Sequence, residues 1–224
     1  MENQRILVMA CATVIEEMYQ LLPPGTDTQV LDFGLHIQPD RLRESLQQAI
    51  DQVDASKYDT ILLGYGLCSK AVVGIASRSF RLVVPRVDDC IAIFLGSKAA
   101  YTEQSHCEPG TYYLTKGWIE VGSTPFTEYD EMVRRLGEAK ASRIHGVMMR
   151  HYKRLALINT GQYGMDRYRE YAQQTAERFN LRYEEIPGSN EMVKKMVEGN
   201  WAEEFVVVEP GEMILLEHFF PGAK

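Results

Sequence analysis

Short apolar runs alternate with amphipathic stretches along this chain, and the alternation predicts its elements. The run in "RILVMAC" predicts a strand and "TVIEEMYQLL" a helix. "TQVLDFG" predicts a second strand beyond the turn at Pro23, Pro24 and Gly25. A second helix follows in "DRLRESLQQAIDQVD", where Leu42, Leu46, Ile50 and Val53 recur at helical spacing behind Asp40 as N-cap. "YDTILLGYG" is then a third strand, so the first unit reads β-α-β-α-β. Further on, "KRLALINTG", "MDRYREYAQQTAERFN", "LRYEEIPGS", "EMVKKMVEGN" and "EEFVVVEPG" repeat the same order. Strands separated by helices pair in parallel through crossovers. The expected fold is α/β and Rossmann-like, with mainly parallel sheet, helices on both faces and two pseudo-repeated halves. Between the halves, "RLVVP" predicts a strand, "DDCIAIFLG" the start of a helix and "GTYYLTKGWIEVG" a β-rich or irregular segment that caps or bridges the lobes. The expected domains are 1–125, an N-terminal lobe with its capping segment, and 126–224, a C-terminal lobe.

Composition narrows the class of protein. The 224 residues suffice for one large domain or two small lobes, and 45% apolar content supplies a core. Thirty-one acidic against 24 basic residues give a net charge of -7. No basic stretch offers the footprint that nucleic-acid binding requires, so no nucleic-acid partner is expected. The apolar run Ile6 to Ala10 is too short to cross a bilayer and lacks the layout of a secretory signal. The expectation is a cytoplasmic protein without a membrane partner. In such a setting the four cysteines read as reduced thiols rather than a disulfide framework.

Three of those thiols carry the most chemistry. Cys11 and Cys68 follow the first and third strands, and Cys90 falls in the first turn of the helix after the fourth. In an open α/β sheet strand ends share one edge, so distant thiols can meet there. His36 lies just beyond the end of the second strand, completing a set of four soft or borderline donors. Thiolate and imidazole suit zinc, iron and iron–sulfur clusters. Four donors would close a Cys3His zinc site, whereas three cysteines would leave a position open. Burial as ordinary core residues is the competing explanation for each cysteine, and no C-x-x-C pair supports the metal reading locally. Cys90 has a second possible chemistry as a helix-start nucleophile, which Asp88 and Asp89 oppose electrostatically while serving as caps or as partners of a ligand. Cys107 stands apart in a polar segment.

Gly64 and Gly66 follow a strand and precede a predicted helix, where backbone amides can cradle an anion. They lack the third glycine of a dinucleotide fingerprint and the Lys-Ser/Thr ending of a P-loop. Close backbone approach or a positive φ explains them equally well. Gly64, Gly66, Arg86 and Trp118 are carried as candidate cofactor-binding residues, with Tyr65 a further candidate for lining a pocket. Asn159, Thr160 and Gly161 mark the equivalent edge of the second half, where turn chemistry accounts for them first.

The segments "CATVIEEMYQLLP", "LDFGLHIQPDRL", "LLGYGLCSKAVVGI", "PRVDDCIAIFLGSKAAY", "PGTYYLTKGWIE" and "VVVEPGE" resemble the DUF1638 family. The resemblance places the family's three cysteines on Cys11, Cys68 and Cys90, and its Leu-His pair on Leu35 and His36. This chain has Ala12 where relatives carry Gly, and Ser69-Lys70 where Gly-Asn is usual. The family's setting beside corrinoid-dependent methyltransferases implies a corrinoid protein or methyltransferase as partner, with the small-molecule substrate unknown. Two classes of function follow. One is a metal-dependent enzyme or accessory protein of corrinoid-linked one-carbon metabolism, holding zinc or an iron–sulfur cluster on Cys11, Cys68 and Cys90, with His36 as fourth or labile ligand, in an inter-lobe cleft. The other is a non-catalytic module that carries a metal or docks a corrinoid protein.

Overall fold

Strand β1, Ile6–Cys11, is an almost unbroken apolar run, and Leu7 to Cys11 are all buried. A strand buried on both faces belongs in the middle of a parallel sheet, and β1 lies there in the computed structural model, which describes residues 5–220. Its neighbours are β2, Asp27–Leu31, and β3, Thr60–Gly64, both parallel to it. β4, Arg81–Pro85, pairs parallel with β3. The polar, half-exposed β2 forms one edge. Helix α1, Ala12–Tyr19, leaves β1 directly. α2, Pro39–Asp51, starts with proline in its first turn and buries Leu42, Leu46, Ala49 and Ile50 along one face. A 3-10 turn at Phe33–Ile37 links β2 to α2. After β4 come α3, Cys90–Phe94, and α4, Lys98–Cys107. Cys107, expected in a polar loop, is the exposed last residue of α4.

The chain divides into two compact units, Met1–Tyr101 with Ser189–Lys224, and Thr102–Gly188. Residues 102–125 therefore group with the second unit and 189–224 with the first, unlike a division at 125. The second unit holds β5, Thr111–Leu114, α5, Lys116–Val121, α6, Pro125–Leu136, α7, Glu138–Met149, β6, Arg154–Asn159, α8, Asp166–Arg178, and β7, Arg182–Pro187. Its sheet is wholly parallel in the order β5-β6-β7. Leu114, Phe126, Leu155, Leu157, Tyr168 and Ala172 lie at its core.

The last two predicted elements form as α9, Glu191–Val197, and β8, Phe205–Val208. β8 does not continue the second sheet. It pairs antiparallel with β4, giving the first sheet the order β2-β1-β3-β4-β8. The fold is thus mixed α/β with parallel-dominated sheets, and the two halves share an order of elements but not a pairing. The physical reason lies in β4, which is apolar and buried and needs its outer edge covered. Val206 and Val208 bring buried apolar side chains to that edge, while Val207 faces outward. No helix of the described residues is long and apolar enough to cross a membrane.

Candidate functional site

The strand order β2-β1-β3-β4 reverses direction at β1: the chain steps from β1 to β2 on one side, then returns to β3 on the other. The crevice outside the carboxyl ends of the strands flanking such a reversal is where open α/β sheets bind ligands. Cys11 is the last residue of β1 and the N-cap of α1, and Gly64 ends β3 opposite Ala10. The segment Tyr65 to Cys68 leaves from that point.

Both glycines permit close packing here, and neither has a positive φ. A Cβ on Gly64 would stand 2.6 Å from the Ala10 Cβ, and one on Gly66 would stand 2.9 Å from the Val87 carbonyl oxygen. With Gly66 so placed, the Leu67 amide donates to the Val87 carbonyl at 2.8 Å and the Cys68 amide to the Asp88 carbonyl at 2.9 Å. The loops after β3 and β4 are thereby joined along their backbones. Cys68, Ser69 and Lys70 then adopt φ values of 46°, 56° and 71°, a left-handed turn closed by the Ala71 amide on the Cys68 carbonyl at 3.1 Å. Left-handed backbone costs an L-residue about 1–2 kcal/mol, so three in succession store strain beside Cys68.

Cys11, His36, Tyr65, Cys68 and Asp89 at this edge shift toward their uncharged forms. Burial pushes the Cys11 thiol up, offset in part by the Thr13 hydroxyl and the amides of Val14 and Thr13 at the start of α1. The Cys11 sulfur lies 3.1 Å from the Thr13 Oγ1. Burial pushes the Cys68 thiol up to about 12, with Cys11 and Asp89 adding to the shift and the Gly66 amide opposing it. Tyr65 is 1% exposed, and its hydroxyl has no hydrogen-bond partner among the described residues. Its acidity is suppressed by burial, then by Cys11 and Cys68. The His36 ring stacks on that of Tyr65, with centroids 5.9 Å apart and planes at 26°, and burial lowers its pKa. Asp89 caps α3 by accepting from the Ile91 amide at 2.9 Å. Burial raises its carboxyl pKa, helped by Asp88. Cys90, also buried, opens α3; five residues, little more than one turn, give that helix a weak dipole for a nucleophilic thiolate.

The residues expected as ligands therefore lie on the carboxyl edge of the first sheet, with His36 stacked on Tyr65 and Cys11 and Cys68 acting on its hydroxyl. As they stand they are not a coordination cage: among the described residues no group of three or more His, Cys, Asp or Glu side chains is disposed to hold a metal ion.

Two of the proposed cofactor contacts are engaged elsewhere. Arg86 donates from Nη2 to the Phe205 carbonyl at 2.9 Å, while its amide bonds the Glu204 carbonyl at 2.8 Å. It thus fastens β4 to β8. Trp118 belongs to the second unit, packed against that unit's core. Gly66 contributes an amide to Cys68 rather than an anion cradle. Thr13 went unnoticed in the sequence, although its position two residues after Cys11 at a helix start is a usable signal.

A family model described as "Protein of unknown function (DUF1638)" matches residues 30–197, a span that takes in His36, Cys68 and Cys90 and begins after Cys11. No curated protein and no solved structure matches.

Proposed function

We propose, for a chain that belongs to the DUF1638 family of proteins of unknown function, that the carboxyl edge of its first sheet binds a soft metal ion or an iron–sulfur cluster through Cys11, Cys68 and Cys90. His36 is the further donor if the metal is zinc. The observation that carries this reading is the coupling of Cys11 and Cys68 across the β1/β3 reversal, each thiol approached by backbone amides suited to a thiolate. The strand order 2-1-3-4, shared with flavodoxin-like members of the Rossmann-like class, supports it by placing a ligand crevice at that point.

Binding requires the donors to lose their protons and the side chains to regroup, because burial raises the pKa of the Cys11 and Cys68 thiols and no metal-holding group is preassembled among the described residues. The strained turn at Cys68–Lys70 is the segment best suited to reset. A bound zinc ion would supply Lewis acidity to a thiolate methyl acceptor. That chemistry fits a role, catalytic or accessory, in corrinoid-linked one-carbon transfer.

Anaerobic isolation followed by metal and sulfide analysis tests the reading. Stoichiometric zinc in colourless protein, or iron and sulfide in brown protein, is expected, with loss of either in Cys68→Ser. Absence of stoichiometric metal after anaerobic reconstitution overturns it.

A further inference from the structure

The second unit carries a pattern that the metal reading of the first sheet leaves unused. β6 ends at Asn159, and the loop Asn159-Thr160-Gly161-Gln162-Tyr163-Gly164 leads from it toward α8 and then β7. This loop keeps the last two glycines of the dinucleotide-binding pattern G-x-G-x-x-G and has asparagine in place of the first. About 20 residues further on, that pattern calls for an acid that bonds a ribose hydroxyl. Glu185, near the end of β7, stands there.

Asn159 makes the turn that the first glycine would allow: its side-chain carbonyl accepts the Gly161 amide at 2.9 Å. Its Nδ2 donates to Glu185 Oε1 at 2.8 Å, which ties the loop to the acid. Arg169 of α8 holds the same carboxylate, Nε to Oε2 at 2.6 Å and Nη2 to Oε1 at 2.9 Å. These bonds keep its pKa below the ordinary carboxylate value. A carboxylate has about four acceptor positions, so the three bonds fix its orientation and leave a place on Oε2. Residues 159–161 and 185–188, all within the second unit, line a cavity of about 390 Å³, a size typical of small-molecule sites. Gly161 has a φ of 76° and nothing within 4 Å of where a Cβ would stand, so its backbone is open to close approach. Pro187 is exposed and presents an apolar face. Asp166 opens α8, and Arg169 is shared between it and Glu185. Two carboxylates against one guanidinium leave negative charge here, which disfavours a phosphate.

We infer that this cavity is a ribonucleoside site, in which Glu185 Oε2 accepts a ribose hydroxyl, the sugar passes over the Gly161 backbone and the base rests on Pro187. Its ligand carries no phosphate on the sugar. The site is independent of any metal held by the first sheet.

Calorimetric titration of the full chain at neutral pH with adenosine, guanosine, cytidine and uridine is the test. At least one should bind. Its dideoxyribo counterpart should bind about 10-fold more weakly or worse, having lost a hydrogen bond to a charged acceptor, and its monophosphate no more tightly. Glu185→Gln should lower affinity for the ribonucleoside to that for the dideoxyribo compound. Gly161→Ala keeps every contact of the carboxylate and should weaken both compounds by obstructing the backbone, which tests the site even if the Glu185 variant fails to fold. Binding of none of these nucleosides overturns the inference, as does equal affinity for the ribo and dideoxyribo forms or a preference for the monophosphate. Wild-type affinity in either variant also overturns it.

Discussion

The two parallel sheets end differently at their carboxyl edges. In the second unit the strand-end groups satisfy one another. Asn159 Nδ2 donates to Glu185 at 2.8 Å, the Gly161 amide bonds back to the Asn159 side chain at 2.9 Å, and Arg169 holds Glu185 through two bonds at 2.6 and 2.9 Å. Its strands run β5-β6-β7 without reversal. In the first unit, order reverses at β1, and the edge carries two thiols whose pKa burial raises, a histidine whose pKa burial lowers and a tyrosine hydroxyl lacking a partner among the described residues. At one edge these polar groups are paired with one another; at the other a buried tyrosine hydroxyl is not. That contrast supports the proposal that the carboxyl edge of the first unit carries the metal site.

Substitution at the two glycines puts the largest strain on this comparison. Gly64→Val should lower unfolding free energy by about 3 kcal/mol or more through overpacking against Ala10, Val14 and Met18. Gly161→Ala has open space around its Cβ and only a φ of 76° to resist, so about 1 kcal/mol is expected. Urea denaturation measures both; equal losses would remove the distinction between a packed and an open edge. Glu185→Ala should cost about 1 kcal/mol, because the Arg169 pair is partly exposed, and should leave the metal content of anaerobically isolated protein unchanged.

The pH dependence should have opposite signs at the two edges. Hydrogen bonds from Arg169 and Asn159 hold Glu185 below its ordinary pKa, so its contribution is present above the unfolded value and is lost as pH falls through the folded one. Asp89 is raised by burial, so it opposes folding most at neutral pH and is relieved as pH drops. Asp89→Asn, which keeps the capping oxygen, should therefore stabilise at pH 7 with a benefit that shrinks toward pH 4, whereas Glu185→Gln should flatten the acid limb. Parallel slopes for the two variants would contradict this. His145 of α7 adds to the acid loss: burial and then Arg178 lower its pKa, so stability falls once pH drops below 6.5. The smallest effect is a gain. Lys70→Gly should stabilise by a few tenths to about 1 kcal/mol by relieving φ 71°.

Much of the first edge was legible because buried parallel strands write themselves as apolar runs: β1, β3 and β4 end near Cys11, Cys68 and Cys90 as expected. The destination of β8 was not legible, since "FVVV" records burial and not which strand provides the partner. Helices α6 and α7 escaped for a related reason. The buried positions of α7 are Ala141, His145 and Met149, correctly spaced but hardly a hydrophobic signal. Trp118 suggested a pocket by its residue type, yet packing decides where an aromatic goes. The left-handed turn at Cys68–Lys70 had no local signal, because neither Ser69 nor Lys70 is a residue that favours positive φ.

The antiparallel seat of β8 also sets a timetable. Cys11, His36, Cys68 and Cys90 leave the ribosome early, but the loop bearing Asp89 and Cys90 is anchored through Arg86 to residues 204 and 205. Between them the ribosome must make all of Thr102–Gly188, roughly ten seconds at ordinary synthesis rates. For that interval the nascent chain carries Cys11, Cys68 and Cys90 on a sheet whose last strand does not yet exist.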